Sequence, residues 1–318
     1  MGTHVNEHTR RKHSMKRLFK ILVGVILVLV VIGAIGYPIY RHVTHVNLDL
    51  SPLAPYHKTQ NYATLIKDVK SKPIGPDGFT FIALGDTRSN IDVARRVLKA
   101  AAAEKPAFII SNGDIVRRGR VEEYLAHHLR LVKMIAPIPF IPVPGNHEAG
   151  PNDDFATFKA VYGGEQFSFD YGNCRFVGVN DSTRWGMTGA DLAYLKQELS
   201  KPGVKYKFVL FHVPPRFLKD AVQTAEGRGF RWHAGAFRQL MKDEHVTEVF
   251  MGHIHGFATE VLDGVRYTIT GGGGANLAKE LGPEGAVHNY VVVHVTPGGL
   301  KQEEVKYVGE KWIRVPIQ

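Results

Sequence analysis

The chain has a single cysteine, Cys174, in 318 residues. That excludes an internal disulfide and any zinc or iron–sulfur site built on thiolates. It also lacks an HExxH sequence, the helical spacing by which a zinc peptidase presents two imidazoles and a glutamate base. Acidic residues are outnumbered by basic ones, 30 against 40, for a net charge of +10. The excess is local. Arg10, Arg11, Lys12, Lys16, Arg17, Lys20 and Arg41 face only Glu7 in the first 41 residues, which leaves +4 for everything that follows. That remainder has no basic patch interleaved with aromatics, so nothing points to nucleic acid. A mildly basic surface suits an anionic partner without demanding one. There is no internal repeat and no low-complexity tract.

Charge is absent altogether from Ile21 to Tyr40, ILVGVILVLVVIGAIGYPIY. Twenty helical residues rise about 30 Å, the thickness of a bilayer's hydrocarbon core. The basic cluster before this run is expected to stay cytoplasmic, which puts everything after Arg41 outside. A cleaved signal peptide is one rival reading, since Ala34 and Gly36 are small, but the run is long for one and Pro38 sits badly beyond the cut; a buried core helix is the other, and the lack of any polar stripe speaks against it. The expected organisation is a cytoplasmic basic tail at 1–17, a transmembrane anchor at 18–40, a linker at 41–77 and one domain at 78–318. The linker is read from Pro52, Pro55, Pro73 and Pro76 and from the lack of any sustained period.

From Phe79 the pattern changes. FTFIAL, AFIIS and PFIPV are short apolar runs rich in β-branched and aromatic residues, as in buried strands. Between them, 90–104 and about 120–135 have helical spacing. Strand–helix alternation implies a largely parallel sheet covered by helices. QFSFDYG and CRFVGVN read as an antiparallel pair. Helices are expected at 188–200 and 234–245, strands at KYKFVLFH and TEVFMGH, and a strand-rich end through YTIT, NYVVVHV and KQEEVKYV.

Polar residues punctuate the predicted strand ends, where ligands sit in α/β sheets. They are Asp86 in ALGDTR, Asp114 in SNGDIV, Asn146 and His147 in PGNHE, His212 in LFHVPP, and His253 and His255 in MGHIHG. Any one of them alone reads as a turn. Together they form a carboxylate, amide and imidazole set that suits Zn, Mn or Fe and offers no thiolate for soft ions. Gly85, Gly113, Gly145 and Gly252 precede the ligands and are expected to let the backbone turn sharply. Two cations roughly 3.5–4 Å apart can orient a hydroxide and neutralise phosphoryl oxygens.

This succession resembles the calcineurin-like metallophosphoesterase superfamily, whose pattern is DxH, GD, GNH(E/D), an isolated His and GHxH. The Gly271–Gly274 run, Ala275 and His288-Asn289-Tyr290 resemble its purple-acid-phosphatase-like branch. The resemblance covers about 79–296. It implies a four-layer α-β-β-α sandwich of two mixed sheets flanked by helices, here preceded by one transmembrane helix. It implies two divalent metal ions: Asp86, Asp114 and His255 on the first, Asn146, His212 and His253 on the second, with Asp114 bridging. His147 would sit at the leaving group as a catalytic acid.

One position departs. Where the family has the DxH histidine this chain has Arg88, which is permanently charged and donor-only. The tyrosine that replaces that histidine in purple acid phosphatases is Arg117 here. The first ion is therefore expected to bind weakly, and Arg88 to hold a substrate phosphate oxygen. The functional expectation is hydrolysis of a phosphomonoester or phosphodiester, a small molecule or a lipid-linked substrate, at the outer membrane face. The alternative is a binding or regulatory domain that has lost turnover.

Overall fold

The computed structural model describes residues 4–218 and 229–318. The chain divides into two units, 1–47 and 48–318. The first holds a helix, His4–Thr44, which takes in the basic tail from His4 onward and not only the expected span. Within it Met15–Gly36 is long and apolar enough to cross a membrane, a test that a signal sequence near an N-terminus also passes.

In the second unit, two six-stranded sheets are packed together. The first runs β12 (Lys311–Pro316), β11 (Gly299–Val308), β10 (His288–Thr296), β1 (Phe79–Leu84), β2 (Phe108–Ser111), β3 (Phe140–Pro142). The second runs β4 (Phe167–Tyr171), β5 (Cys174–Gly178), β6 (Tyr206–Leu210), β7 (Glu248–Met251), β9 (Val265–Thr270), β8 (Phe257–Leu262). Both are mixed. β1, β2 and β3 are parallel, as are β5, β6, β7 and β9; β10 and β4 pair antiparallel with their neighbours.

Aromatic side chains join the sheets. Phe81 on β1 meets Phe176 on β5 and Phe208 on β6 edge-on, at 5.0 and 5.1 Å between centroids. All three are fully buried, and each is worth roughly 1.5–3 kcal/mol in area removed from water. Helices cover the outer faces for the reason their sequences suggest. In Ile91–Ala103, Ala94, Val97, Leu98 and Ala101 fall on one stripe and are buried, and Asn90 caps the amides of Asp92 and Val93. The helix expected at 120–135 is continuous from 121 to 134 but is wound as a π-helix over Tyr124–His128.

The expected linker needs correction. Residues from Leu48 onward belong to the folded unit, and Ala54–Gln60 and Tyr62–Ser71 are helices. Leu53, Tyr62, Leu65 and Val69 are buried in the main core, and the Tyr62 hydroxyl donates to the Pro142 carbonyl at 2.7 Å. The prolines mislead because Pro52 and Pro55 occupy first-turn positions, where a missing amide hydrogen costs nothing.

What this architecture positions is a row of strand ends. Leu84, Ser111 and Pro142 are in register across β1, β2 and β3, and Leu210 is in register with Phe250 across β6 and β7. Every candidate ligand lies two to five residues beyond one of these five.

Candidate metal centre

Asp86, Asp114, Asn146, His147, His212, His253 and His255 are brought together by these loops, together with Arg88. One ligand atom from each of Asp86, Asp114 and His212 lies within 4.8 Å of the other two. All three residues are buried.

The backbone reaches this arrangement in an unexpected way. Of the glycines taken as turn-makers only Gly113 has a left-handed backbone (φ 92°); the left-handed residues are the candidate ligands Asp86 (59°), Asp114 (55°) and His253 (70°) themselves. Asp and His tolerate that region better than most side chains. Gly145 and Gly252 are needed for room. A Cβ on Gly145 would stand 2.3 Å from Asp114 Oδ1, and one on Gly252 would stand 2.5 Å from Asp86 Oδ2. Either would press directly on a carboxylate.

The imidazole tautomers follow from their partners. His212 Nδ1 lies 2.7 Å from the Asn112 carbonyl oxygen. A carbonyl only accepts, so Nδ1 carries the proton and the neutral ring leaves a lone pair on Nε2. That lone pair faces Asn146 Oδ1 at 3.1 Å and Asp114 Oδ1 at 3.4 Å. His253 Nδ1 approaches the same Asn146 oxygen at 3.0 Å. Asp86 Oδ1 is buried and accepts no hydrogen bond, with His255 Nε2 at 3.4 Å. Around His212, Asn146 and Asp114, acceptors are thus aimed at one another with no hydrogen between them. A divalent cation fits such a set, and mixed oxygen/nitrogen donors are the ones borderline metals prefer.

His255 differs. Its Nδ1 donates to the Asn276 carbonyl at 2.6 Å, and its Nε2 faces Arg88 Nη2 at 3.2 Å. Burial lowers its pKa, but the Asp86 carboxylate and the Asn276 carbonyl outweigh this, and the net shift is upward. The neutral ring accepts from Arg88; the protonated ring would turn its hydrogen to Asp86. The Arg88 contact is the shorter.

Arg88 therefore does not reach out into the open cleft. Its side chain is 15% exposed, and Nε donates to Asp114 Oδ2 at 2.9 Å. Nη1 donates to Ser89 Oγ at 3.1 Å. Burial would raise the Asp114 pKa, but His212, His147 and Arg88 around it, with the His147 amide, hold it down at about 2. His147 keeps its ring outward. Its Nδ1 donates to the Arg117 carbonyl, and Nε2 stands 3.8 Å from Asp114 Oδ2 on a side chain 30% exposed.

Two buried carboxylates that the motif reading passed over hold these loops in place. Glu148 accepts the amides of Asp114 and Gly145 at 2.7 Å each and of Val116 at 3.0 Å. Asp181 accepts the amides of His212 at 3.0 Å and of Val213 at 3.1 Å. Glu148 follows the GNH motif directly, which is a readable signal; Asp181 has none beyond its place at a strand end. Of the segment Arg216–His233 that follows the His212 loop, residues 219–228 lie outside the described residues. Arg184 stacks on the exposed Trp185.

Two mixed sheets thus carry a buried cluster of candidate metal ligands at their strand ends. The calcineurin-like phosphoesterase family matches residues 79–257, more than half of the chain, and this protein belongs to that family. Among solved structures, it resembles purple acid phosphatase PPD1 of yellow lupin (Lupinus luteus), at 15% identity and TM-score 0.59, over 74% of this chain and 52% of the lupin one. It thus spans about half the length of that enzyme. It also resembles GAP50, the anchor in the inner membrane complex of Plasmodium, at 16% identity and TM-score 0.57, over 76% of this chain and 89% of that one. A dimetal phosphatase from Danio rerio matches at 13% identity and TM-score 0.55, over 76% and 99%. At such identities the likeness is one of fold. No curated protein matches the sequence.

Proposed function

We propose that this protein is a metal-dependent hydrolase of phosphate monoesters or diesters, tethered by its N-terminal helix with the catalytic unit outside the cytoplasm. The observation that carries the reading is the convergence of acceptors from Asp114, Asn146 and His212 on one point, on the fold of a phosphoesterase family. In this reading Asp86, Asp114, Asn146, His212, His253 and His255 are the metal-site residues. A bound divalent ion supplies Lewis acidity to phosphoryl oxygens and acidifies water.

The protein's own groups do the rest. Asn112 and Asn276 fix two imidazoles by their carbonyls, so that Nε2 faces inward without a search over tautomers. The Arg117 carbonyl likewise holds His147 by its Nδ1 hydrogen, and the ring, when it carries a second proton on Nε2, gives that proton to the departing ester oxygen. Arg88 uses one hydrogen on each nitrogen within the protein. Of a guanidinium's five hydrogens, two then remain for a phosphoryl oxygen. A lipid-linked phosphate fits the tether; a small ester fits the site equally.

The test is turnover of p-nitrophenyl phosphate and of its bis-ester by the full chain in detergent, with added Mn. Hydrolysis of either, lost on chelation and regained with Mn, is expected. Metal-loaded protein inert on both esters would replace this reading with that of a non-catalytic binding domain.

A further inference from the structure

The two halves of the metal-binding cluster are not equivalent, and Arg88 is the reason. In the half formed by His212 and Asn146, the His212 Nε2 lone pair faces the acceptor oxygens of Asn146 and Asp114. In the half formed by Asp86 and His255, a permanent cation is already present. Its Nε donates to Asp114 Oδ2 and its Nη2 to His255 Nε2. These are two of the three residues that the family pattern leaves for the first ion once its histidine is gone.

Asp114 makes the substitution legible. The resemblance gives it the task of bridging two cations. Here its oxygens are divided between the two halves: Oδ2 takes the guanidinium at 2.9 Å, and Oδ1 lies 3.4 Å from His212 Nε2. The bridge is intact, but one of its ends is an arginine. A divalent ion in that half would have to displace both contacts and sit beside a charge that cannot be titrated away. The residues present do not fit a first ion.

We propose that the Arg88 guanidinium stands in for the first cation, so that the protein is a one-metal phosphoesterase whose single ion is bound by Asp114, Asn146, His212 and His253. This rests on the metal-centre reading above and changes its stoichiometry. The arginine keeps part of what the lost ion would do: it neutralises the bridging carboxylate, holds His255 in orientation and keeps two hydrogens for a phosphoryl oxygen. It cannot supply a coordination site for water, which a single ion, when bound, would have to provide.

The experiment is metal analysis of the full chain, purified in detergent, incubated with excess Mn and freed of loose ions, alongside its Mn paramagnetic resonance spectrum. About one ion per chain with the uncoupled signal of an isolated Mn centre is the expected result. Two ions, or an exchange-coupled spectrum, would overturn the substitution by arginine while leaving the metal-centre reading standing. No ion at all would overturn the metal-centre reading itself. Arg88→His, which restores the family's imidazole, should raise the content to about two ions and bring in the coupled spectrum. A folded Arg88→His protein that still binds one ion would show that arginine is not what excludes the other. The wild-type measurements decide the matter even if that variant fails to fold.

Discussion

His212 and His128 are buried to nearly the same degree, 0% and 1% exposed, yet their surroundings have nothing else in common. His212 stands just past the end of β6, with one nitrogen tied to a carbonyl and the other presented to a carboxylate and an amide oxygen. His128 stands in the π-helical turn, among the rings of Tyr124, Phe140 and Tyr162, with Nε2 on the Tyr162 hydroxyl. A hydroxyl can give or take a hydrogen, so it satisfies a neutral imidazole; two acceptors cannot. Burial of a histidine therefore carries no functional message by itself. The message lies in whether the buried lone pair meets a donor.

That contrast is broken or sharpened most strongly by removing His212. His212→Ala should strip the cation and take phosphoesterase activity to background, a larger loss than the roughly 10–100-fold caused by disturbing groups that only orient a ligand. Metal analysis and turnover on the same preparation check it. Full metal content in that variant would place His212 with His128, as a histidine of the core. His147→Ala comes next, since His147 shares the site but faces outward. Turnover should fall by about 10²–10⁴-fold, the range of a lost general acid, with metal content unchanged. Loss of the metal instead would mean that His147 is a ligand and that its assigned role is wrong.

The gathering of the strand-end polar residues was readable because chemistry and topology coincide there. Short buried runs ended in GD, GNHE and GHIH, and parallel strands gather such ends on one edge. Arg88 was readable as a departure but not as a solution. An arginine at a strand end can turn to solvent or inward with equal ease of sequence, and only the contacts to Asp114 and His255 decide. The glycines were readable as necessary and misjudged as to why: close approach to a carboxylate leaves no mark that distinguishes it from a turn. Residues 51–71 were hidden by prolines whose tolerated first-turn placement becomes evident only when the helices are seen. His128 carries no such mark, since no motif residue accompanies it in the sequence.

His128 also yields the smallest of the expected effects, one of stability and pH. Burial, with a lesser push from His127, takes its pKa from the ordinary 6.5 to about 3. Above pH 6.5 neither folded nor unfolded chain protonates it, and its neutrality costs nothing. Below pH 6.5 the unfolded chain takes up a proton that the folded one refuses. Stability is then lost as pH falls toward 3, by up to about 1.4 kcal/mol per unit. Glu248 and Glu304 act in the opposite sense, because burial lifts both to about 7; the folded chain protonates them first, and their contribution is lost as pH rises through that range. The wild-type pH profile mixes these slopes, so the informative quantity is its difference from His128→Phe. Phenylalanine suits the aromatic surroundings and leaves the Tyr162 hydroxyl short of a partner, a cost of about 1–3 kcal/mol that does not vary with pH between 4 and 7 as tyrosine stays protonated. Denaturation midpoints of both proteins measured from pH 7 down to pH 4 should therefore converge as the pH falls and cross once the proton-linked loss exceeds that cost. Parallel profiles would mean that the imidazole is not held neutral, and the distinction between a satisfied histidine and a ligand would lose its clearest example.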